Sequence, residues 1–239
     1  MPLSATTRHN LRRLHSLSGV LPVGLFLLEH FYTNSYAMFG AEVYNEKVLF
    51  LTSLPYVIVV EICGIGIPIL FHAVLGIVIW RSSRGNVPRY SYFRNWMYTL
   101  QRASGIFLLV FIALHVYKAR LSGAAPDEMF QHMTGYLDPA TNPANWAWVV
   151  FYALGVVAAS FHLGNGLFTF GITWGLFRGV TSQRWASRAC IALFVVMSLF
   201  GLNSLRSFSG HGIQFFNHAP GHPHSTHAPA SGADPVSTR

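Results

Sequence analysis

The sequence predicts an all-α integral membrane protein, a bundle of five transmembrane helices with its N-terminus in the cytoplasm. Three observations predict it. Of 239 residues, 52% are hydrophobic and only 10% charged, against about 25% charged in an ordinary soluble domain. Five mostly apolar stretches are long enough to cross a hydrocarbon core of roughly 30 Å, which takes about 20 residues. The basic residues gather in alternate connections. A soluble enzyme is excluded by the scarcity of charge, and a disordered chain by the abundance of apolar residues.

The predicted spans cover residues 17–39, 54–80, 96–117, 146–177 and 186–208. The first follows Arg8, Arg12 and Arg13 but contains Glu29 and His30 and lacks a clear cleavage site, so it reads as a retained helix rather than a signal peptide. Pro22 and Pro68 fall inside spans, where neighbouring helices can satisfy the freed carbonyls. The fourth stretch is long, which predicts tilt or extension beyond the lipid. Trp96 and Trp146 stand at span ends as interfacial anchors. Residues 1–208 form the membrane unit. Residues 209–239 form a tail rich in His, Pro, Ala and Ser, with His211, His218, His222, His224 and His227; this composition predicts a disordered extension.

Charge position sets the orientation. Arg8, Arg12 and Arg13 precede the first span; Arg81, Arg84, Arg89 and Arg94 lie between the second and third; Arg178, Arg184 and Arg188 lie between the fourth and fifth. None of these segments contains an acidic residue. The positive-inside rule places them in the cytoplasm. The formal charge of +8, from 16 basic and 8 acidic residues, is thus mostly a topology signal, and nucleic acid is not an expected partner. Cys63 and Cys190 lie in apolar stretches with no CxxC spacing. They predict buried thiols rather than a disulfide, zinc or cluster site.

Ionisable groups inside a bilayer are costly and point to function. The first four spans each carry one deep histidine: His30, His72, His115 and His162. One histidine per helix suits bis-histidine haem, where two helices supply one imidazole to each porphyrin face. His30 lies roughly 25 Å from Arg13 by the helical rise, near the outer end of its span. His115 stands three residues before Lys118, at matching depth. His72 lies roughly 13 Å from Arg81, in the inner half. His162 pairs with it partly by elimination. Two haems stacked across the membrane follow, one near each face. Gly76 and Gly166, each four residues after an inner histidine, share its helix face and leave room for a flat macrocycle. Small residues also serve plain helix packing. Arg13, Ser16, Tyr98 and Arg102 are the expected partners of the inner propionates. His9, His15 and His132 read as surface or interfacial groups, with His15 alternatively covering an inner-side propionate or quinone.

The runs RRLHSLSGVLPVG, LFHAVLGI, YSYFRNWMYTLQRASGI and FHLGNGLFTFGITWG surround all four histidines. They resemble the dihaem cytochrome b membrane anchor of succinate:quinone oxidoreductase (respiratory complex II), in its single-polypeptide cytochrome b558 type from menaquinone-using bacteria. The resemblance runs roughly from Arg8 to Leu205. It implies two b haems, on His30 with His115 and on His72 with His162. It implies a flavoprotein subunit with covalent FAD and an iron–sulfur subunit on the cytoplasmic side, and a quinone as electron acceptor. It places the chain in the bacterial cytoplasmic membrane. Related fumarate reductases carry a carboxylate two residues before the fourth ligand, for proton movement; Ser160 stands at that place, which puts such a path in doubt.

Quinone reduction needs protons as well as electrons. Glu61, in the outer half of the second span, is the first candidate relay, with Glu29, Glu42 and Glu46 as alternatives. The bland reading of Glu61 is an ion pair with Lys118 or another polar group. Two rival functions remain at this level: the dihaem anchor of another respiratory dehydrogenase, such as a hydrogenase or formate dehydrogenase, and a transporter whose histidines bind ions or relay protons.

Overall fold

The computed structural model describes residues 4–82 and 87–209. Arg84, and residues 210–239 with the five tail histidines, lie outside the described residues. Among those described, five helices are long and apolar enough to cross a membrane: Thr6–Phe39, Val57–Arg81, Phe93–Ala119, Asn145–Thr173 and Val180–Phe208. They alternate in direction. The side where the first span begins is called the N-side, and the side where the fifth ends, the C-side.

The fourth span lies at the centre of the bundle. It packs along the third and the fifth, while the first span contacts the second at its N-side end and the fifth at its C-side end. Glycines set the closest approaches. A Cβ on Gly164 would come within 2.8 Å of the Cys190 carbonyl oxygen, so the fourth and fifth backbones touch there, as small residues allow in membranes. Large side chains such as Leu70, Ile58, Val150 and Leu199 remain exposed around the bundle; a belt of this kind faces lipid rather than water. Cys63 lies exposed on the second span, not buried as expected. An apolar stretch in a bilayer has a lipid face, so apolar sequence context does not imply burial.

The helices outrun the apolar stretches. The first starts at Ala5, capped by the Ser4 side chain, which accepts from the Thr7 N–H, rather than at residue 17. Hydropathy measures the lipid-covered length, and the arginine-bearing turn before it is helical too. Around Pro22, residues Gly19–Gly24 take a π register, which absorbs the missing N–H. A second π stretch, Val60–Gly66, precedes Pro68. The fourth span ends earlier than predicted, at Thr173. Gly175 adopts φ 71°, and the Leu176 N–H donates to the Gly171 carbonyl at 2.8 Å while Gly175 donates to Ile172 at 3.1 Å. This is a Schellman stop, which an apolar run cannot reveal.

Two shorter helices that the sequence reading did not anticipate, Ala41–Thr52 and Met129–Leu137, cap the C-side. Asn45 ties them together: its side-chain amide donates to Gln131 Oε1 at 2.9 Å, and its Oδ1 accepts from the Phe130 N–H at 2.8 Å. Tyr44, Met133, Tyr136 and Leu137 from these helices share one buried cluster with Leu108, Phe111, Tyr152, Leu205 and Phe208. The cap is therefore continuous with the bundle core.

Candidate functional site

The four deep histidines form two facing pairs. On the N-side, the His72 and His162 ring centroids lie 6.2 Å apart with planes at 85°. On the C-side, those of His30 and His115 lie 5.5 Å apart at 77°. The early stop of the fourth helix explains the first match. His162 stands 11 residues before Thr173 and His72 nine before Arg81, so both lie roughly 14–17 Å from their N-side helix ends by rise. Little tilt is needed.

The pairs fit a metal gripped from two sides. Imidazole nitrogens about 2 Å from one metal place their ring centroids roughly 6 Å apart. Tautomer control agrees. His72 Nδ1 lies 3.0 Å from the His15 carbonyl oxygen; a carbonyl only accepts, so Nδ1 carries the proton and Nε2 keeps its lone pair. The Ser104 hydroxyl donates to the Gln101 carbonyl at 3.0 Å. Its proton is committed, so it accepts from His162 Nδ1 at 3.1 Å, with the same consequence. On the C-side, His115 Nδ1 faces the Tyr152 hydroxyl at 3.4 Å, and Phe111 stacks on the His115 ring at 5.7 Å. Asn34 stands beside His30: its amide donates to the His30 carbonyl at 2.8 Å and lies 3.4 Å from ring Nδ1 and 3.3 Å from Nε2, while its Oδ1 accepts from Tyr44 of the cap at 3.3 Å.

His15, expected at the membrane edge or as a cover for an inner-side group, stacks on His72 with centroids 4.0 Å apart and planes at 19°. It is brought there because the first helix begins well before the apolar stretch. The glycines nearest the ligand rings are Gly19, whose Cβ would overlap the His72 ring, and Gly105, whose Cβ would lie 3.1 Å from His162 Cε1. A Cβ on Gly76 would instead lie 3.1 Å from His15 Nε2, and one on Gly166 would lie 3.6 Å from the Gln101 amide nitrogen. That amide donates to the His162 carbonyl at 3.1 Å, and its Oε1 accepts from Asn165 at 2.8 Å. Gln101 thus holds the third and fourth spans together beside His162.

Arg13 lies over the Trp174 ring at 4.0 Å. Trp174 Nε1 donates to Ser16 Oγ at 3.2 Å. Arg13 Nε is enclosed and makes no hydrogen bond among the described residues, a spare donor suited to an anionic group. Arg102 donates to the Trp80 carbonyl at 2.5 Å and stands over the Tyr98 ring at 5.0 Å. Arg13, Ser16, Tyr98 and Arg102 thus lie on the N-side, as two clusters. Ser160 is fully buried and donates to the Val156 carbonyl at 2.8 Å; the closed packing around it matches a small hydroxyl.

Glu61 is paired with Arg120, not Lys118. Arg120 Nη2 donates to Oε2 at 2.9 Å and Nε to Oε1 at 3.1 Å, joining the second span to the C-side end of the third. Lys118 instead lies over Trp148 and Tyr136, at 4.8 and 5.1 Å. Glu29 accepts from the Thr33 hydroxyl at 2.5 Å. Glu42 and Glu46 fall on the first cap helix.

Comparison with known proteins shows the family to which the chain is similar. Residues 83–202 match the family described as succinate dehydrogenase/fumarate reductase transmembrane subunit. Over 207 residues, 86% of this chain and all of the relative, the sequence is 38% identical to the succinate dehydrogenase cytochrome b558 subunit of Bacillus subtilis (strain 168).

Proposed function

The chain belongs to the succinate dehydrogenase/fumarate reductase transmembrane-subunit family, and from that premise we propose that His72 with His162 and His30 with His115 are the axial ligands of two b haems. The protein is the cytochrome b subunit of succinate:quinone oxidoreductase, a multi-pass protein of the bacterial inner membrane that passes electrons to quinone. It is not the succinate-oxidising subunit. The observation that carries the ligand assignment is the arrangement of four imidazoles in two facing pairs, 5.5 and 6.2 Å between centroids.

Two such haems supply single-electron steps at two depths in the bilayer. The chain's own residues hold and orient them. The His15 carbonyl and the Ser104 hydroxyl hold the Nδ1 protons of His72 and His162, which would leave each Nε2 free to ligate a haem iron. Arg13 Nε, with Ser16, Tyr98 and Arg102 near the same face, supports an N-side propionate. Gly76 and Gly166 make room for His15 and Gln101, which pack beside that pair. The N-side faces the cytoplasm, as the basic connections require, and docks a flavoprotein with FAD and an iron–sulfur subunit. Quinone, of the menaquinone type, is reduced toward the C-side. Glu61, oriented by Arg120, passes a proton to it.

Purified with its native partners, the complex is expected to contain covalent flavin and two b haems, and to reduce quinone with succinate. A colourless preparation would overturn the haem reading and return the histidines to ion transport. A coloured complex with a hydrogenase or formate dehydrogenase partner would overturn the succinate assignment.

Two predictions concern the acceptor end. Glu61→Gln keeps a hydrogen-bonding partner for Arg120 but cannot release a proton. It is expected to slow quinone reduction about tenfold or more at unchanged haem content; stopped-flow haem reoxidation by quinone checks this, and unchanged rates remove Glu61 from the path. Electrons moving from the N-side to the C-side descend the membrane potential, worth about 2.3 kcal/mol per charge per 100 mV. Two electrons at about 150 mV gain roughly 7 kcal/mol. Succinate-supported menaquinone reduction in intact cells is therefore expected to fall when an uncoupler is added, and undiminished reduction refutes an electrogenic path.

A further inference from the structure

The C-side ligand His115 is the start of a chain of polar groups that runs out of the bilayer into the second cap helix. His115 Nδ1 lies 3.4 Å from the Tyr152 hydroxyl. The Tyr152 and Tyr136 hydroxyls lie 3.2 Å apart, and the Tyr136 hydroxyl donates to Met133 Sδ at 2.6 Å. All three partners are buried, at 5%, 8% and 5% exposure for Tyr152, Tyr136 and Met133, so water does not complete their hydrogen bonding.

The direction of every proton follows from the last member. A thioether sulfur accepts and never donates. Tyr136 therefore spends its only proton on Met133 and must accept from Tyr152. Tyr152 spends its proton on Tyr136 and must accept from His115. His115 then carries its proton on Nδ1 and presents Nε2 as a lone pair. Burial, with the neighbouring Tyr152 phenol, pushes the Tyr136 phenol well above its ordinary range, so it acts as a neutral hydrogen-bonding group.

We propose that the Met133–Tyr136–Tyr152 chain is a positioning device that fixes the tautomer and electron-donating strength of His115, so that the C-side cap helix sets the potential of the C-side haem. The proposal rests on His115 being a haem ligand. A hydrogen bond from Nδ1–H raises the basicity of the ligating nitrogen and favours ferric over ferrous iron. Loss of its acceptor raises the potential. None of the three residues touches the His72–His162 pair, so the N-side haem is the internal reference.

The test uses membranes containing the full complex, titrated redox-optically and examined by electron paramagnetic resonance. His115→Ala first identifies the C-side haem by its loss; a full haem complement in that variant overturns the ligand reading itself. In Tyr152→Phe the C-side haem is expected to be retained. Its reduced-to-oxidised ratio at fixed ambient potential should rise by roughly three- to tenfold, the worth of one hydrogen bond, with the upper value about 59 mV for a one-electron couple. Met133→Leu keeps both phenols and removes only the terminal acceptor. Tyr136 can then turn its proton back onto Tyr152, and Tyr152 its own toward His115. The same upward shift is expected, smaller than in Tyr152→Phe, with the N-side haem unmoved. A packing role for Tyr152 alone does not produce it. If Tyr152→Phe loses the C-side haem, Met133→Leu decides. A C-side potential and resonance signature unchanged in Met133→Leu overturns the chain while leaving His115 as ligand.

Discussion

In membranes carrying His72→Ala, the reduced-minus-oxidised spectrum is expected to lose about half of its b-type α band, with the C-side haem retained. The two pairs stand on different parts of the bundle. His72 meets the first helix at His15 and Ser18, and His30 lies 12 residues beyond Ser18, roughly 18 Å along a helix. Removing one imidazole leaves the other pair's side chains and backbone partners in place. His162→Ala should give the same spectrum as His72→Ala, while His30→Ala and His115→Ala should remove the other half. His15→Ala is the informative contrast. His15 supports His72 through its main-chain carbonyl, which alanine retains, so both haems are expected to remain. A full spectrum in any of the four ligand variants breaks the assignment for that pair.

The membrane class, the number of spans and the matching depth of His30 and His115 were legible in the sequence because a bilayer turns each into a count along the chain. His162, by contrast, is set beside His72 partly by elimination, its predicted span being four residues longer than the helix that ends at Thr173. Apolar length reads thickness, and 1.5 Å per residue reads depth. The same ruler had a further use. Tyr152 is seven residues from the C-side start of its helix at Asn145, and His115 four from the C-side end of its own at Ala119, so the two lie at similar depth. A phenol at a ligand's depth was a readable signal. Other parts were not readable. Gly19 and Gly105 sit on different helices from the rings they approach, whereas a search for glycines four residues after each histidine finds only neighbours on the same helix. Gly76 and Gly166 accordingly border His15 and Gln101. The cap helices carry mixed polarity, and their burial comes from Asn45, Tyr44 and Phe208 meeting across long separations in sequence, which local periodicity does not encode. Arg120, not Lys118, holds Glu61, because the rotation of the third helix about its axis decides which cation faces the second span.

Gly19→Ala is expected to disrupt the N-side haem while sparing the C-side one. The added methyl would overlap Cε1 of His72, stand 2.8 Å from Nδ1 and 3.2 Å from Nε2. One of the two partners must move. His72 cannot yield freely, because its Nδ1 is held by the His15 carbonyl at 3.0 Å and lies 3.3 Å from Ser18 Oγ. Both of those belong to the turn just before Gly19. The backbone cannot yield freely either, because Gly19 opens the π stretch around Pro22. Overpacking of this kind costs about 1–3 kcal/mol, and here the cost falls on the ligand that presents Nε2. Gly105→Ala supplies the graded comparison: its methyl would lie 3.1 Å from His162 Cε1, tight but without overlap, so haem content should hold while the N-side resonance signature shifts. Haem stoichiometry and electron paramagnetic resonance of the two variants check the order. If Gly19→Ala matches the parent in both, the first helix does not press against His72 as described, and the His15 carbonyl loses its place as the acceptor that fixes the tautomer of the ligand.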